Sequence, residues 1–419
     1  MTYVEGISLC TELLVVAALV PGALLRLPFM PSQIRTLGAA LGALPELTAD
    51  MLHHERKRIA SGAEASGAKS IASDADGERK VAHNTFMSQL VRLSDQGKAG
   101  NGAFGPSQFL REDEIAGNLF VFTAAGYDTT ANTMTYAVGL MAAYPQWQAW
   151  LQDELDRVLG SKAVGESRIL PYTTYFPKLK RCLAVMVSNP KGLGESIDSL
   201  IHISRSISHD QAIGKEGENY IIPGPCTVYI NNAGLHHARE DWGNDAGDFR
   251  PSRWLTLNSD GTEAELITPA RGTFLPWSGG PRVCPGQKMA QVEFVTVMST
   301  LLARLRVEPM PTPGRSVEER REDLLKLMEN SQPRLTLQMN RPEQFALRWI
   351  PSCRILLAAM AAAAGRAPSS KLCNSVNRNQ WLVTSSASWP LSIALYDLID
   401  MILSALAIDS AALLSSRQR

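Results

Sequence analysis

The sequence predicts a mainly α-helical fold with small β-sheets, on three observations. A helical pattern begins near Glu112 and continues to about Tyr144, long enough at about 1.5 Å per residue to cross a domain. Directly after it, Trp147, Leu151, Leu155 and Val158 recur on one helical face. Strand-like residues fill the short run 220–232 (YIIPGPCTVYINN), which reads as a hairpin turning at Pro-Gly.

Taken in order, residues 1–60 read as helical, with apolar and small residues leading into the charged stretch His53–Arg58. Within them, Leu13–Leu25 is an uncharged run bounded by Glu12 and Arg26 and interrupted by Pro21. A spanning helix needs about 20 apolar residues, and no Lys or Arg precedes the run as a signal peptide requires. A buried or interfacial helix is expected there, with contact to a membrane surface through 8–27. Residues 61–82, rich in Ser, Ala and Gly, read as a solvated linker. Pro145 suits the first turn of the helix after Tyr144, and Gly160 suits its end. A Gly- and Pro-rich loop follows at 271–286, then a helix from about Gln287 to Leu305. From about Pro351 the chain turns Ala- and Ser-rich without a clean period; a second apolar run, Trp389–Ile408, carries Asp397 and Asp400. The organisation expected is a helical segment and linker (1–110), a main core (111–350) and a C-terminal tail (351–419).

Composition excludes several classes. The 419 residues are 45% hydrophobic and 20% charged, ordinary for a globular chain. Basic and acidic residues balance at 41 each, so nothing draws the chain toward nucleic acid. The six cysteines include no CxxC pair, which argues against a disulfide framework or a zinc finger. Gly100–Gly105 matches GxGxxG, but a polar stretch precedes it and Pro106 follows, so it is no dinucleotide loop. Gly62–Lys69 has Ala68 where a P-loop needs its lysine, and the histidines offer no HExxH spacing.

Two segments could carry chemistry. Residues 276–286 (PWSGGPRVCPG) set Cys284 in a glycine-rich loop just before a helix. A thiolate there is favoured by the helix N-terminus, and small neighbours let a flat ligand approach the sulfur. Arg282 can pair with an anionic group on that ligand. The alternative is a buried structural cysteine, the commoner fate of a lone thiol. The second segment, Ala125-Gly126-Tyr127-Asp128-Thr129-Thr130, sits in the middle of the long helix. Small residues and paired threonines there suit either a local opening of the helix or close packing against a neighbour.

Together these motifs resemble the cytochrome P-450 family of heme-thiolate monooxygenases, in its eukaryotic, fungal-like branch. AGYDTT is similar to the family's central-helix signature and GGPRVCPG to its heme-cysteine signature. Phe249-Arg250-Pro251-Ser252-Arg253-Trp254 is similar to the Phe-x-Pro-x-Arg-aromatic segment between them. The resemblance covers roughly residues 1–350 and implies heme b as cofactor, with Cys284 as the axial thiolate ligand of iron. It implies that Thr129 and Asp128 relay protons, that Arg282 and Arg205 pair with the propionates, and that Trp277 covers the sulfur side of the ring. Gly280 and Gly286 fall at the loop glycines of the signature. Implied too are a small lipophilic substrate, a secondary metabolite in class, and an NADPH-dependent reductase as electron donor. The implied location is the endoplasmic reticulum membrane surface or the cytoplasm.

The departures are as specific. The first residues resemble the family's mid-chain segment over the substrate pocket, so the chain is expected to lack the N-terminal third of the fold. After Cys182–Met186 the family places a Glu-x-x-Arg helix that clasps the arginine matching Arg253. Here Val187-Ser188-Asn189-Pro190-Lys191-Gly192-Leu193-Gly194 stands instead. Glu154–Arg157 has the spacing but reads as a surface pair. Arg253 is therefore expected to lose its partner, with Glu195 and Asp198 the only acids near the lost helix. Residues 187–199 read as a translated, unspliced intron, and the tail as a run-on past the family's usual end. Two alternatives to the oxygenase follow: a truncated or mis-spliced remnant without catalysis, and a membrane-associated interaction protein.

Overall fold

The computed structural model describes residues 1–60, 85–98, 109–160, 172–188, 203–215, 218–259, 263–333 and 337–352. The linker 61–82, both dismissed glycine patterns, residues 189–199 and the tail from 353 lie outside the described residues. The chain divides into two compact units, Met1–Asp128 and Thr129–Arg419.

The first unit contains α1 (Tyr3–Glu12), α2 (Leu14–Leu19), α3 (Gly22–Leu25), α4 (Ser32–Ala60), α5 (Phe86–Lys98) and the start of α6 (Glu112–Ala143). A capping box opens α1: Thr2 Oγ1 accepts from the Glu5 amide, and the Glu5 carboxylate accepts from the Thr2 amide. Ile7, Cys10, Leu25, Leu37, Leu44 and Ala124 form one buried cluster, and Leu52, Val91, Ile115 and Leu119 form another. Arg56 grips Glu112 through two hydrogen bonds of 2.7 and 3.1 Å.

The helix expected over Leu13–Leu25 is corrected. Pro21 forces Val20 into extended backbone (φ −110°, ψ 123°), splitting the run into α2 and α3. Nor is α2 buried: Val15 is 65% and Leu19 77% exposed. Among the described residues, no helix is long and apolar enough to cross a membrane.

The second unit continues with α7 (Pro145–Leu159), α8 (Tyr172–Tyr175), α9 (Lys180–Val187), β1 (Ile203–Ile207), β2 (Gln211–Lys215), β3 (Glu218–Ile222) and β4 (Cys226–Ile230). Then come α10 (Asn232–His236), α11 (Arg239–Trp242), β5 (Leu255–Leu257), β6 (Glu263–Leu266), α12 (Gln287–Leu302) and β7 (Leu305–Pro309). Last are α13 (Val317–Glu329), β8 (Ser331–Pro333), β9 (Leu337–Met339) and β10 (Leu347–Pro351). Among the described residues all sheets are antiparallel pairs: β1 with β4, β2 with β3, β5 with β6, β7 with β10, and β8 with β9. The core joins α6, α7, α9 and α12 through Tyr136, Met141, Leu151, Leu155, Met186, Phe294 and Met298. Pro145 stands at the first turn of α7, and Gly160 ends it with φ +56°. The helix α12 stops at Leu302, short of the expected Leu305, because that residue opens β7.

The Pro-Gly hairpin is also corrected. The strands flanking that turn, β3 and β4, do not pair with each other. Ile222 pairs with Gln211 and Ile230 with Ile203, so 203–215 and 218–230 are the two arms of one long ribbon. The upstream arm supplies more ladder bonds than a tight turn could, and prolines on both sides of Gly224 donate none. The Gly224 amide instead donates to Asp210 Oδ1 at 2.9 Å. A side chain there would have its Cβ 2.5 Å from the His209 carbonyl carbon, so only glycine fits.

Glu154 is not a surface residue. It is 4% exposed, and its carboxylate accepts from the Arg181 amide (2.8 and 3.0 Å) and the Cys182 amide (3.3 Å), capping the start of α9. Arg157 pairs instead with Asp153 at 3.3 Å. Burial pushes the Glu154 carboxyl up to about 7, with the two backbone donors opposing. Position 154 stands three residues after Leu151 on the apolar face of α7, and that spacing was the available signal.

Candidate functional site

The loop from Leu275 to Gly286 is shaped by two left-handed residues, Ser278 (φ +63°) and Gly280 (φ +70°). A Cβ on Gly280 would meet nothing within 4 Å, so its glycine is needed for backbone conformation rather than for space. The Cys284 amide donates to the Trp277 carbonyl at 2.8 Å, folding the loop back on itself. Trp277 packs its half-buried ring on the core. Gly286 is the N-cap of α12, and a Cβ built on it would stand 3.8 Å from Cys284 Sγ. The sulfur therefore lies beside the helix N-terminus, where backbone N–H groups favour negative charge. Cys284 is exposed, whereas Cys10 and Cys182 are buried.

Arg205, on β1, reaches this loop: its Nη2 donates to the Gly279 carbonyl at 3.2 Å. Arg282 lies in the loop itself, in the short 3₁₀ turn Gly280–Arg282, and is exposed. Hydrogen bonds and chain adjacency thus gather Arg205, Trp277, Gly280, Arg282, Cys284 and Gly286. Asp128 and Thr129 are carried by a different element, α6, and both are half-buried. The local opening weighed for that helix does not occur, since α6 is continuous from Glu112 to Ala143. Thr133 Oγ1 donates to the Thr129 carbonyl at 2.9 Å, adding to the backbone ladder without replacing it. Close packing at Gly126 does not occur either, as a Cβ there would meet nothing within 4 Å.

The expected isolation of Arg253 is corrected. Its side chain is 9% exposed and donates to the carbonyls of Trp242 (3.2 Å), Asp248 (3.2 Å) and Asp245, and Asp245 Oδ2 lies 3.4 Å away. The sequence reading sought an acid near the lost helix, but this one stands in the loop just before Phe249. Trp242, held through its carbonyl, stacks on Trp254 (4.9 Å between ring centres) and meets Phe274 edge-on (5.9 Å). Phe274 in turn lies 4.9 Å from the His236 ring, whose Nε2 accepts the Leu275 amide at 2.9 Å. Burial lowers the His236 pKa to about 4. Sequence reasoning missed both Asp245 and His236, because neither stands in a motif or on a periodic face.

The donor chemistry fits a heme. Among the described residues, no group of three or more His, Cys, Asp or Glu could hold a bare metal ion. A metal held by Cys284 among these residues would bring most of its own ligands, as a porphyrin does. One exposed sulfur, two nearby arginines for anionic edge groups and a glycine loop that admits a flat molecule meet that need.

Residues 3–176 and 197–335 match the family model described as Cytochrome P450, and the chain belongs to that family. It is 34% identical over 318 residues to the phomenoic acid biosynthesis cluster cytochrome P450 monooxygenase of Leptosphaeria maculans, covering 72% of this chain and 49% of that protein. Cytochrome P450 monooxygenase ORF6 of Penicillium roqueforti is 27% identical, over 73% of this chain and 51% of the relative. Cytochrome P450 monooxygenase prx9 of Penicillium rubens is 26% identical with the same coverage. The chain spans about half the length of the curated relatives it matches. The unmatched interval 177–196 contains α9 and most of the stretch 187–199 that departs from the family's pattern.

Proposed function

We propose that this chain carries the heme-thiolate core of a monooxygenase that oxidises a small lipophilic molecule, a secondary metabolite in class. The observation that carries the reading is the exposed Cys284 sulfur beside the α12 N-terminus, in a loop tied to Arg205. When bound, heme b supplies oxygen activation, which a thiolate ligand favours by pushing electron density toward O–O cleavage. Cys284 holds the iron, while Arg205 and Arg282 orient the propionates. Gly280 lets the loop turn through left-handed backbone, Gly286 keeps the approach to the sulfur clear, and Trp277 shields it from water. Thr129 Oγ1 moves a proton toward the reacting centre, and the Asp128 carboxylate holds the supply. Electrons come from an NADPH-dependent reductase. The exposed apolar residues within 8–27, Val15 and Leu19 foremost, support contact with a membrane surface, in keeping with the endoplasmic reticulum surface; a cytoplasmic location is the alternative. Comparing a reduced with a reduced, carbon-monoxide-treated sample of the heme-loaded chain tests the reading, which requires a thiolate-type band.

A second reading rests on the unmatched interval 177–196: residues 187–199 are intron-derived, and the product is a remnant with weak or no heme binding. Transcript sequencing separates the two. A spliced alternative encoding a Glu-x-x-Arg helix supports the remnant, and its absence removes it.

A further inference from the structure

We infer that His236 is a positioning residue for the cysteine loop, its Nε2 lone pair fixing the Leu275 amide at the point where that loop begins. Three observations carry this. The Leu275 N–H donates to Nε2 at 2.9 Å, ahead of the residues that deliver Trp277 and Cys284. The acceptor role fixes the tautomer: a neutral ring accepting at Nε2 carries its proton on Nδ1. That Nδ1 is buried without a hydrogen-bond partner among the described residues, and so is Oδ1 of Asn232, one turn earlier on α10. The ring also packs, tilted by 49°, against Phe274, the residue immediately before Leu275. Neutral imidazole is the form that this arrangement needs, and burial favours it.

Downstream of this contact the loop is tied to itself by the Ser278 amide on the Leu275 carbonyl (3.0 Å), the Val283 amide on the Gly280 carbonyl (3.1 Å) and the Cys284 amide on the Trp277 carbonyl (2.8 Å). His236 therefore sets where the loop leaves the core, and these bonds set how it returns. The consequence for iron ligation rests on the proposed function; the contact itself does not.

Hydrogen exchange of single backbone amides in the full chain tests the inference without heme. In the wild type, Leu275 should exchange at least about fivefold more slowly than Phe274, the factor that about 1 kcal/mol for a hydrogen bond of this kind gives. Equal exchange overturns the inference and needs no variant. His236→Phe keeps a ring against Phe274 but removes the acceptor, and should raise Leu275 exchange about five- to tenfold. His236→Gln restores an acceptor near the Nε2 position and should return the rate to within about twofold of wild type. Unchanged exchange in the Phe variant, or no rescue by Gln in a folded protein, overturns it. In heme-loaded protein, the thiolate-type fraction of the carbon-monoxide spectrum should fall for Phe and recover for Gln. If the wild type lacks that band while the exchange pattern holds, the heme reading fails and the positioning role stands.

Discussion

The surroundings of Arg253 and the loop around Cys284 follow opposite rules, although aromatic packing links them. Arg253 is sunk among three carbonyls and a carboxylate, and burial lowers its pKa while Asp245 opposes the shift. Glu154 is treated alike, its carboxylate spent on the amides at the start of α9. In the loop, by contrast, Arg282, Val283 and Cys284 are exposed, and two residues adopt left-handed backbone. The charged side chains of Arg253 and Glu154 are satisfied by the chain itself, because an unpaired buried charge is costly. On the proposed function, the exposed groups of the loop are left for the heme.

That contrast predicts an ordered series of effects. Arg253→Ala leaves three carbonyls without their donor, while Asp245 keeps its 2.7 Å pair with Arg250, so it should cost about 1–3 kcal/mol of unfolding free energy in denaturant titration. A loss under about 1 kcal/mol would put Arg253 on the loop's side of the comparison.

Glu154 gives a smaller effect with a definite sign. Its carboxyl titrates at about 7 in the fold against an ordinary 4.5, so the folded state holds the proton more tightly. The stabilisation is full below pH 4.5 and is lost as pH rises toward 7, with a slope of at most about 1.4 kcal/mol per pH unit. His236, lowered from 6.5 to about 4, acts oppositely: its contribution is lost as pH falls through that interval. Glu154→Gln should therefore flatten only the first slope, and the difference between variant and wild-type stability curves isolates it. A difference that does not change between pH 4.5 and 7 would return Glu154 to the surface.

Thr129→Ala probes the proton path rather than the framework. Its stability should change by less than about 0.5 kcal/mol. Product formed per electron consumed should drop without loss of heme binding, since a positioned proton donor contributes about 10²–10⁴-fold. Unchanged coupling would make Thr129 a packing residue. The smallest effect is expected from deleting 353–419, which should leave melting temperature and heme content unaltered; a large fall in either would give the tail a structural part.

Much of this was legible beforehand, for reasons that differ by element. α6 and α7 announced themselves through length and a 3.6-residue apolar period, and Pro145 and Gly160 marked the ends of α7. The cysteine loop was legible because glycine, proline and a thiol before a helix are an unusual combination. What stayed hidden was long-range. No local pattern distinguishes a ribbon closed 203-to-230 from a turn at Pro-Gly, because strand pairing is decided by residues far apart in sequence. Asp245 serves Arg253 largely through its backbone carbonyl, which every residue possesses. His236 was one histidine among seven, and only its contact with the Leu275 amide singles it out. Glu154 was misread although its spacing was visible, because a carboxylate on an apolar face is plausible only once the amides that receive it are known.

The central claim is that Cys284 supplies the thiolate to iron. The most direct test compares carbon-monoxide difference spectra of reduced, heme-loaded wild type and Cys284→Ser, with circular dichroism confirming equal helix content. The account predicts a thiolate-type band in the wild type and none in the serine variant. An identical band in both proteins would contradict it.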